Sequence, residues 1–561
     1  MVISGLKNQI IIFMKYKLLV FFFLFSGYSI AQEHTNTVND DVLITISNNK
    51  TEISYNSSKQ LCLNVSEKDV EKFKSNGFVI YKNFGAKGDG KTDDIDAICA
   101  THAFANQEGL TVKINDNATY YISGKSLTAE IRTNTDFGTA SFIIDDTKVE
   151  NRSKPVFLVS SFLKPYKLKG ISTLKKNQHK IDAQLTGACI ISVSDSNVKR
   201  YIRFGLNQNN GFKQTDIFMV DKDGNVDANS PIIWDFEQIT EITALPIDDK
   251  TLTISGGRFT TIANQAESAY NYYSRGIAIK RSNVVVDSLE HRVTGEGEHG
   301  APYNGFIHIS DCSNVRVQNT KFTGHKMYKT IGSAGALVSM GSYDFQINRA
   351  LNVSFVNCKQ FNDINDKRYW GIMGSNYCKN IVYDSCSLSR FDAHMGVVNG
   401  TIRNSELGHQ GINAIGKGTF TVENSSINAN QLINLRPDYG STWEGEIIIR
   451  NCILVPKSTT NVCLINGTYS GQHNFGYTCY MPERITIENL RIDDSKRGKT
   501  DSDPYIFGNF NPKMTDETYI EKFPYIKTKE VILNNAITSS GKDLKICENT
   551  FIFKYVKVLT K

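Results

Sequence analysis

Between Arg368 and Lys417 the chain reads RYWGIMGSNYCKNIVYDSCSLSRFDAHMGVVNGTIRNSELGHQGINAIGK, with cationic, imidazole and carboxylate side chains at strand spacing. Arg390, Asp392 and His394 alternate with Phe391 and Ala393, so on a strand the three polar groups share one face. Polar strand positions commonly do no more than face solvent; the place of this triplet within a repeat sets it apart. Such groups suit β-elimination from a uronic acid sugar, which needs a cation to neutralise the carboxylate and a base aimed at the ring carbon. Arg368, Arg390 or Arg436 would do the first job. His394, neutral near pH 7, would do the second, with Asp392 or Asn413 fixing nearby groups. A tyrosine, Tyr369 or Tyr439, would protonate the leaving oxygen.

Further contacts to a sugar chain are expected from Lys329, His409, Asn413, Lys417 and Arg436, and from His299 in the glycine-rich GEGEHGAPYNG. Trp370, with Tyr369, Tyr439 and Trp443, offers rings for stacking. Hydrolysis is the rival reaction and wants two carboxylic groups facing across the glycosidic bond, for which Asp392 and Asp438 qualify, with Glu444 or Glu446 close by. A solenoid that binds carbohydrate without turnover is the third reading.

The elements that would position these groups are visible as a repeat. An apolar, any, apolar, any pattern ending in Asn or Asp and a small residue recurs with Asp287, Asn319, Asn357, Asp384, Asn404, Asn424, Asn451, Asn489 and Asn535. The spacings are 32, 38, 27, 20, 20, 27, 38 and 46 residues. A unit near 20 with variable additions predicts a solenoid whose coils each add a strand to parallel sheets and whose additions emerge as loops. Asn and Asp suit turns because they tolerate left-handed dihedrals, and stacked Asn can form a ladder between coils. The shortest coils lie between longer ones, so loops on the flanking coils should stand as walls over a short-coil floor. Aligning coils on the turn residue brings Lys329, Arg368, His394, Asn413, Asn434 and Arg436 into one stripe, suited to an anionic glycan.

The first 31 residues carry Lys15 and Lys17, an apolar run from Leu18 to Phe25, and small residues near Ala31, the arrangement of a secretory signal peptide. The run is too short to span a bilayer, and a periplasmic or secreted protein is expected. Without Lys7, Lys15 and Lys17 the net charge falls from +6 to about +3, which argues against a nucleic-acid partner. Eleven cysteines lack CxxC spacing, signal no zinc site, and suit buried packing positions.

Phe84-Gly85-Ala86-Lys87-Gly88-Asp89-Gly90-Lys91-Thr92-Asp93-Asp94, followed by an apolar helical pattern, resembles the opening motif of the pectate-lyase-like superfamily. The resemblance implies an all-β, right-handed parallel β-helix with a short N-terminal capping helix, and the extracellular polysaccharide trade of lyases, hydrolases, epimerases and tailspikes. LGHQGINAIGKG is similar to the GHG segment of polygalacturonases, but their paired Asp and RxK motifs do not follow in order. Some relatives of this fold use Ca2+; here Asp363, Asp366 and Asp384 lie near one another without EF-type spacing, and no other metal or cofactor is signalled. The expected organisation is a signal peptide (1–31), an N-terminal extension (32–78), the β-helix opening and cap (79–134), an antiparallel β insertion (135–250) and the main coils with C-terminal closure (251–561). The polysaccharide lyase so described would act as a monomer on an acidic polysaccharide.

Overall fold

The computed structural model describes residues 42–114, 117–458, 461–496 and 502–560. The leader lies outside the described residues. The chain is a right-handed parallel β-helix. Val315, Val353, Ile381, Gly400, Phe420, Ile447, Ile485, Val531 and Val558 are in-register neighbours on consecutive coils. Their side chains fill the interior of the coil stack, and Gly400 leaves the space that Phe420 occupies: a Cβ there would sit 2.7 Å from the Phe420 ring.

The repeat residues form a ladder. Asn319 donates to Asp287, Asn357 to Asn319, Asn404 to Asp384, Asn424 to Asn404, Asn451 to Asn424, Asn489 to Asn451 and Asn535 to Asn489, at 2.8 to 3.3 Å. These asparagines adopt φ between 48° and 55°, the left-handed region their short amide tolerates. A second ladder, which the repeat pattern did not reveal, runs through Asn283, Asn314, Asn352, Asn380 and Asn399. Cys312, Cys358, Cys386 and Cys452 are buried beside the turns, each donating to a carbonyl of the preceding coil, and all eleven cysteines are free thiols.

The opening motif is structural. Asp94 accepts from the backbone N–H of Lys87 and Gly88, Asp89 from Lys91 and Thr92, and Asp93 from Ser123. They shape the turn before helix α1 (Ile95–Glu108), which packs against the first coils with eleven buried residues. Before it, strands Val42–Ser47, Glu52–Tyr55 and Leu61–Ser66 form a small sheet, followed by a further helix, Glu67–Asn76.

The antiparallel insertion is present but narrower than 135–250. Strands Ser141–Asp145 and Phe157–Val159 are solenoid strands; Ser141–Asp145 pairs in parallel with Arg258–Ile262 across the whole insertion. The antiparallel sheet comprises Tyr166–Lys167, Cys189–Arg200, Phe212–Val220 and Glu241–Pro246. Alternation marks both kinds of strand equally, so it does not fix where the insertion begins. The insertion has its own core around Leu174, Ile191, Val193, Phe218 and Phe236. It docks on the solenoid through Ile190, Ile217 and Leu351 and through a buried Lys379–Asp216 ion pair at 2.8 Å.

At the C-terminus, FIFKYVKVL is a strand only from Lys557 to Thr560. The preceding turn buries Ile552 and Phe553, and Phe553 stacks on Phe507 at 4.4 Å, covering apolar surface near the last coils. No helix among the described residues is long and apolar enough to cross a membrane.

Candidate functional site

Arg390, Asp392 and His394 lie on the strand Ser387–Arg403, with Phe391 and Ala393 pointing into the core. Asp392 pairs in register with Asn413, and Asn413 with Asn434, so three coils build a common floor. Asn434 donates to Asn413, and Asn466 to Asn434. The walls come from additions elsewhere: the 200–211 hairpin of the insertion, the loop carrying Tyr270 and Tyr272, the hairpin ending at Ser339, the loop carrying Trp370, and the turn Pro437–Tyr439. They enclose a cleft of about 400 Å³ whose lining includes Arg203, Tyr343, Arg390, His394, Asn413 and Arg436.

Charge in the cleft is organised around two carboxylates. Asp392, fully buried beneath the floor, holds Arg390 at 2.8 Å and Arg436 at 3.5 Å. Arg436 also makes a forked pair with Asp438 at 2.8 and 3.1 Å, and Arg203 reaches Asp438 from the insertion at 2.8 Å. Three guanidinium groups thus face two carboxylates. Burial alone would raise the pKa of Asp438, but Arg436 and then Arg203 overcome it and hold the group down at about 2. Asp438 therefore has no proton to donate at neutral pH.

His394 is half-buried, with its ring at right angles to Tyr439 and centroids 5.4 Å apart. Burial, and then the positive charge of Arg436, push its pKa down to about 3, so the ring is neutral. Nδ1 lies 2.8 Å from Oδ1 of Asn376. That contact assigns the ring proton to Nδ1 and leaves the lone pair on Nε2.

Of the residues singled out by sequence, Arg390, His394, Trp370, Asn413 and Arg436 line this cleft and Asp392 underlies it. Others do not join them. Arg368 is exposed on a loop and paired to Asp366 at 2.6 Å. Lys329 sits on a two-stranded antiparallel hairpin off the solenoid sheet, because the addition to its coil begins earlier than the alignment assumed. His299 is exposed and bonds the carbonyl of Ala266. His409 donates through Nδ1 to the carbonyl of Ile364, anchoring the wall loop, and its neighbour Gln410 faces the cleft instead. Tyr439 is buried among Tyr201, Met395 and Ile415, its phenol pushed up to about 12 by burial. Lys417 lines a different cavity. The three aspartates considered for Ca2+ are separately engaged: Asp363 caps its own turn, Asp366 pairs with Arg368, and Asp384 holds Arg403 and Asn404. No group of three or more His, Cys, Asp or Glu that could hold a metal occurs among the described residues.

Sequence reasoning missed Arg203, Asn207, Tyr270, Tyr272, Tyr343 and Gln410. The segment RYIRFGLNQNNG and the tyrosine-rich AESAYNYYSRG carried a signal, a cluster of Arg, Asn and Tyr in glycine-punctuated loops, but not their destination.

The solved tailspike protein gp49 of Pseudomonas phage LKA1 is similar to this structure, with a TM-score of 0.51, 13% identity, and coverage of 86% of this chain and 84% of that one. The likeness is one of fold. The Gp54 tailspike of Acinetobacter baumannii bacteriophage AP22, solved with a capsular saccharide, matches at TM-score 0.45 and 12% identity over 90% of this chain and 81% of that one. Among curated proteins, a capsule KL64-specific depolymerase of Klebsiella phage P510 is 24% identical over 199 residues, 29% of this chain. The match spans only 19% of that protein's length. No family model matches the chain.

The cleft combines a floor of polar groups, cations in excess of acids, and a neutral imidazole with a proton-free nitrogen. Tyr270, Tyr272, Tyr343 and Trp370 add ring faces and phenols. Burial raises the pKa of Tyr272 and Tyr343, so both phenols keep their protons at neutral pH.

Proposed function

We propose that the protein degrades an acidic polysaccharide by β-elimination at a uronate. The observation that carries this reading is His394. Among the groups lining the cleft it alone is neutral and holds a ring nitrogen free to take a proton. Arg390 and Arg436 would neutralise the uronate carboxylate in the developing carbanion, with Asp392 beneath fixing both guanidinium groups. Burial and Arg436 make His394 a weak base in the free protein. A carboxylate bound against Arg436 shifts that balance upward, towards the operating pH where general bases work best. The leaving oxygen would take its proton from Tyr343 or Tyr272.

Hydrolysis is favoured by one feature, the two carboxylates that share Arg436. It is disfavoured by Asp438, held at about 2, since an inverting or retaining glycosidase needs a carboxylic acid that keeps its proton. The depolymerase relative and the pectate-lyase-like opening motif support a polysaccharide-degrading trade. The signal peptide expected from the first 31 residues supports export to the periplasm or beyond.

The test is incubation of purified protein with a panel of uronate polysaccharides, following absorbance of the unsaturated uronate. Absorbance that rises, and that His394→Ala abolishes, is expected. New reducing ends without absorbance would replace elimination by hydrolysis, and neither signal across the panel would leave binding alone.

A further inference from the structure

Four residues beyond Asn413 on the strand Glu406–Glu423, Lys417 enters a second cavity of about 260 Å³ that opens between the insertion and the solenoid. Tyr201, Met395, Ile415 and Tyr439 pack into a ridge that separates it from the cleft. Lys176, Arg200 and Trp234 line it from the insertion; Lys417, Thr442 and Glu444 line it from the coils.

Its charges do not balance: Lys176, Arg200 and Lys417 face two acids, Glu444 and Asp235. Glu444 is shared by two ammonium groups, Lys417 at 2.8 Å and Lys176 at 2.6 Å. Arg200 lies 4.6 Å from the Trp234 ring centroid, and Lys417 4.4 Å from it. The Lys417 side chain is 14% exposed. Burial lowers its pKa, Glu444 opposes that, and Lys176 adds to the lowering. An ammonium taken out of water needs its charge met and its three N–H groups accepted, and half a share of one carboxylate does neither in full.

We propose that this cavity is an anion-binding subsite for an acidic group, a carboxylate or sulfate, carried on a branch of the glycan whose backbone occupies the cleft. The proposal rests on the polysaccharide reading above for the identity of its ligand. The oxyanion would sit against Lys176 and Lys417, with Thr442 and Tyr480 at the wall. Because the ridge blocks a straight path from the cleft, the group must arrive on a branch rather than along the main chain. Bound there, it would favour branched over unbranched polymer.

The experiment uses tryptophan fluorescence in a Trp370→Phe background, titrated with glucuronate and, separately, with sodium sulfate at constant ionic strength. Trp234 and the buried Trp443 remain in that background, and a further Trp234→Phe variant assigns the response to the cavity wall. A saturable change is expected, weakened at least five-fold by Lys176→Ala and abolished by Lys417→Met. Glu444→Gln should tighten binding, since it frees both ammonium groups from their shared competitor. Response to glucuronate alone assigns a carboxylate ligand; response to both assigns any oxyanion. Should Lys417→Met fail to fold, the exposed Lys176 carries the test. No saturable change with either probe, a change indifferent to Lys176→Ala, or weaker binding in Glu444→Gln would overturn the proposal. The titration and the absorbance assay, both run on His394→Ala, separate the two readings: full turnover in that variant removes the elimination mechanism and leaves the anion result as measured.

Discussion

The turn ladder and the cleft floor are made by the same operation, the stacking of one coil on the next, and both carry stacked asparagines, but the floor departs from the repetition at Asp392 where the ladder keeps it. On the ladder the same amide recurs from Asn404 through Asn424, Asn451 and Asn489 to Asn535, each donating to its predecessor. On the floor the register line Asp392, Asn413, Asn434 begins with a break in the repetition, and around that break gather Arg390, His394 and Arg436. Repetition satisfies each polar group with a copy of itself, which stabilises and leaves nothing over. A break leaves charges that must be matched by walls or by a ligand.

That contrast predicts where substitutions act. His394→Ala should cost about 10²–10⁴ in turnover, the scale of a lost general base, while its urea midpoint stays near that of the parent chain. Asp392→Ala should do the reverse first. Removing the one fully buried carboxylate between Arg390 and Arg436 should destabilise by about 3–5 kcal/mol in urea unfolding, with activity falling as the guanidinium groups move. On the ladder, Asn451→Ala should cost about 1–2 kcal/mol, because alanine lacks the short amide that makes φ 51° tolerable to asparagine and also loses the side-chain bonds, and leave turnover unchanged. Asn451→Gly accepts the dihedral and loses only the bonds, so about 0.5–1.5 kcal/mol is expected. An Asn451→Gly cost equal to that of Asn451→Ala would mean the ladder bonds, not the dihedral, explain the repeat.

The smallest effect concerns pH and a buried network behind the cleft wall. His325 lies between Asp344 at 3.2 Å and Glu296 at 3.5 Å, with Tyr303 stacked on it and His291 on the far side of Asp344 at 2.6 Å. Burial would lower the pKa of His325, but Asp344 and Glu296 overcome it and raise it from 6.5 to about 9. A proton held more tightly in the folded state adds stability that is complete below about pH 6.5 and is lost as pH rises through about 9. The Tm should therefore fall between pH 7 and pH 10, and His325→Gln should flatten that slope. Asp344, held down at about 2 by the two histidines against the pull of burial, contributes in the other direction and loses its share only as pH falls through about 2.

Local pattern carried the parallel β-helix, the ladder through Asn319 to Asn535, the capping helix and the floor residues Arg390, Asp392, His394 and Asn413. Each follows from neighbours in sequence or from a spacing that repeats, and alternation dictates which side chains face outward. Arg436 also fell in line, because its coil adds nothing before that point. Lys329, Arg368 and His299 did not, because each sits on an addition whose path the repeat does not constrain. Arg203 and Asn207 enter the cleft from a hairpin more than 180 residues before its floor. Their approach depends on how the insertion docks through Ile190, Ile217, Leu351 and the Lys379–Asp216 pair. The identity of the stacked coils was thus written in the chain itself, since in-register stacking needs only short-range periodicity. The walls, the burial that keeps His394 neutral and the separation of Lys417 from the cleft arise from contacts between distant segments, and only the tertiary structure decided them.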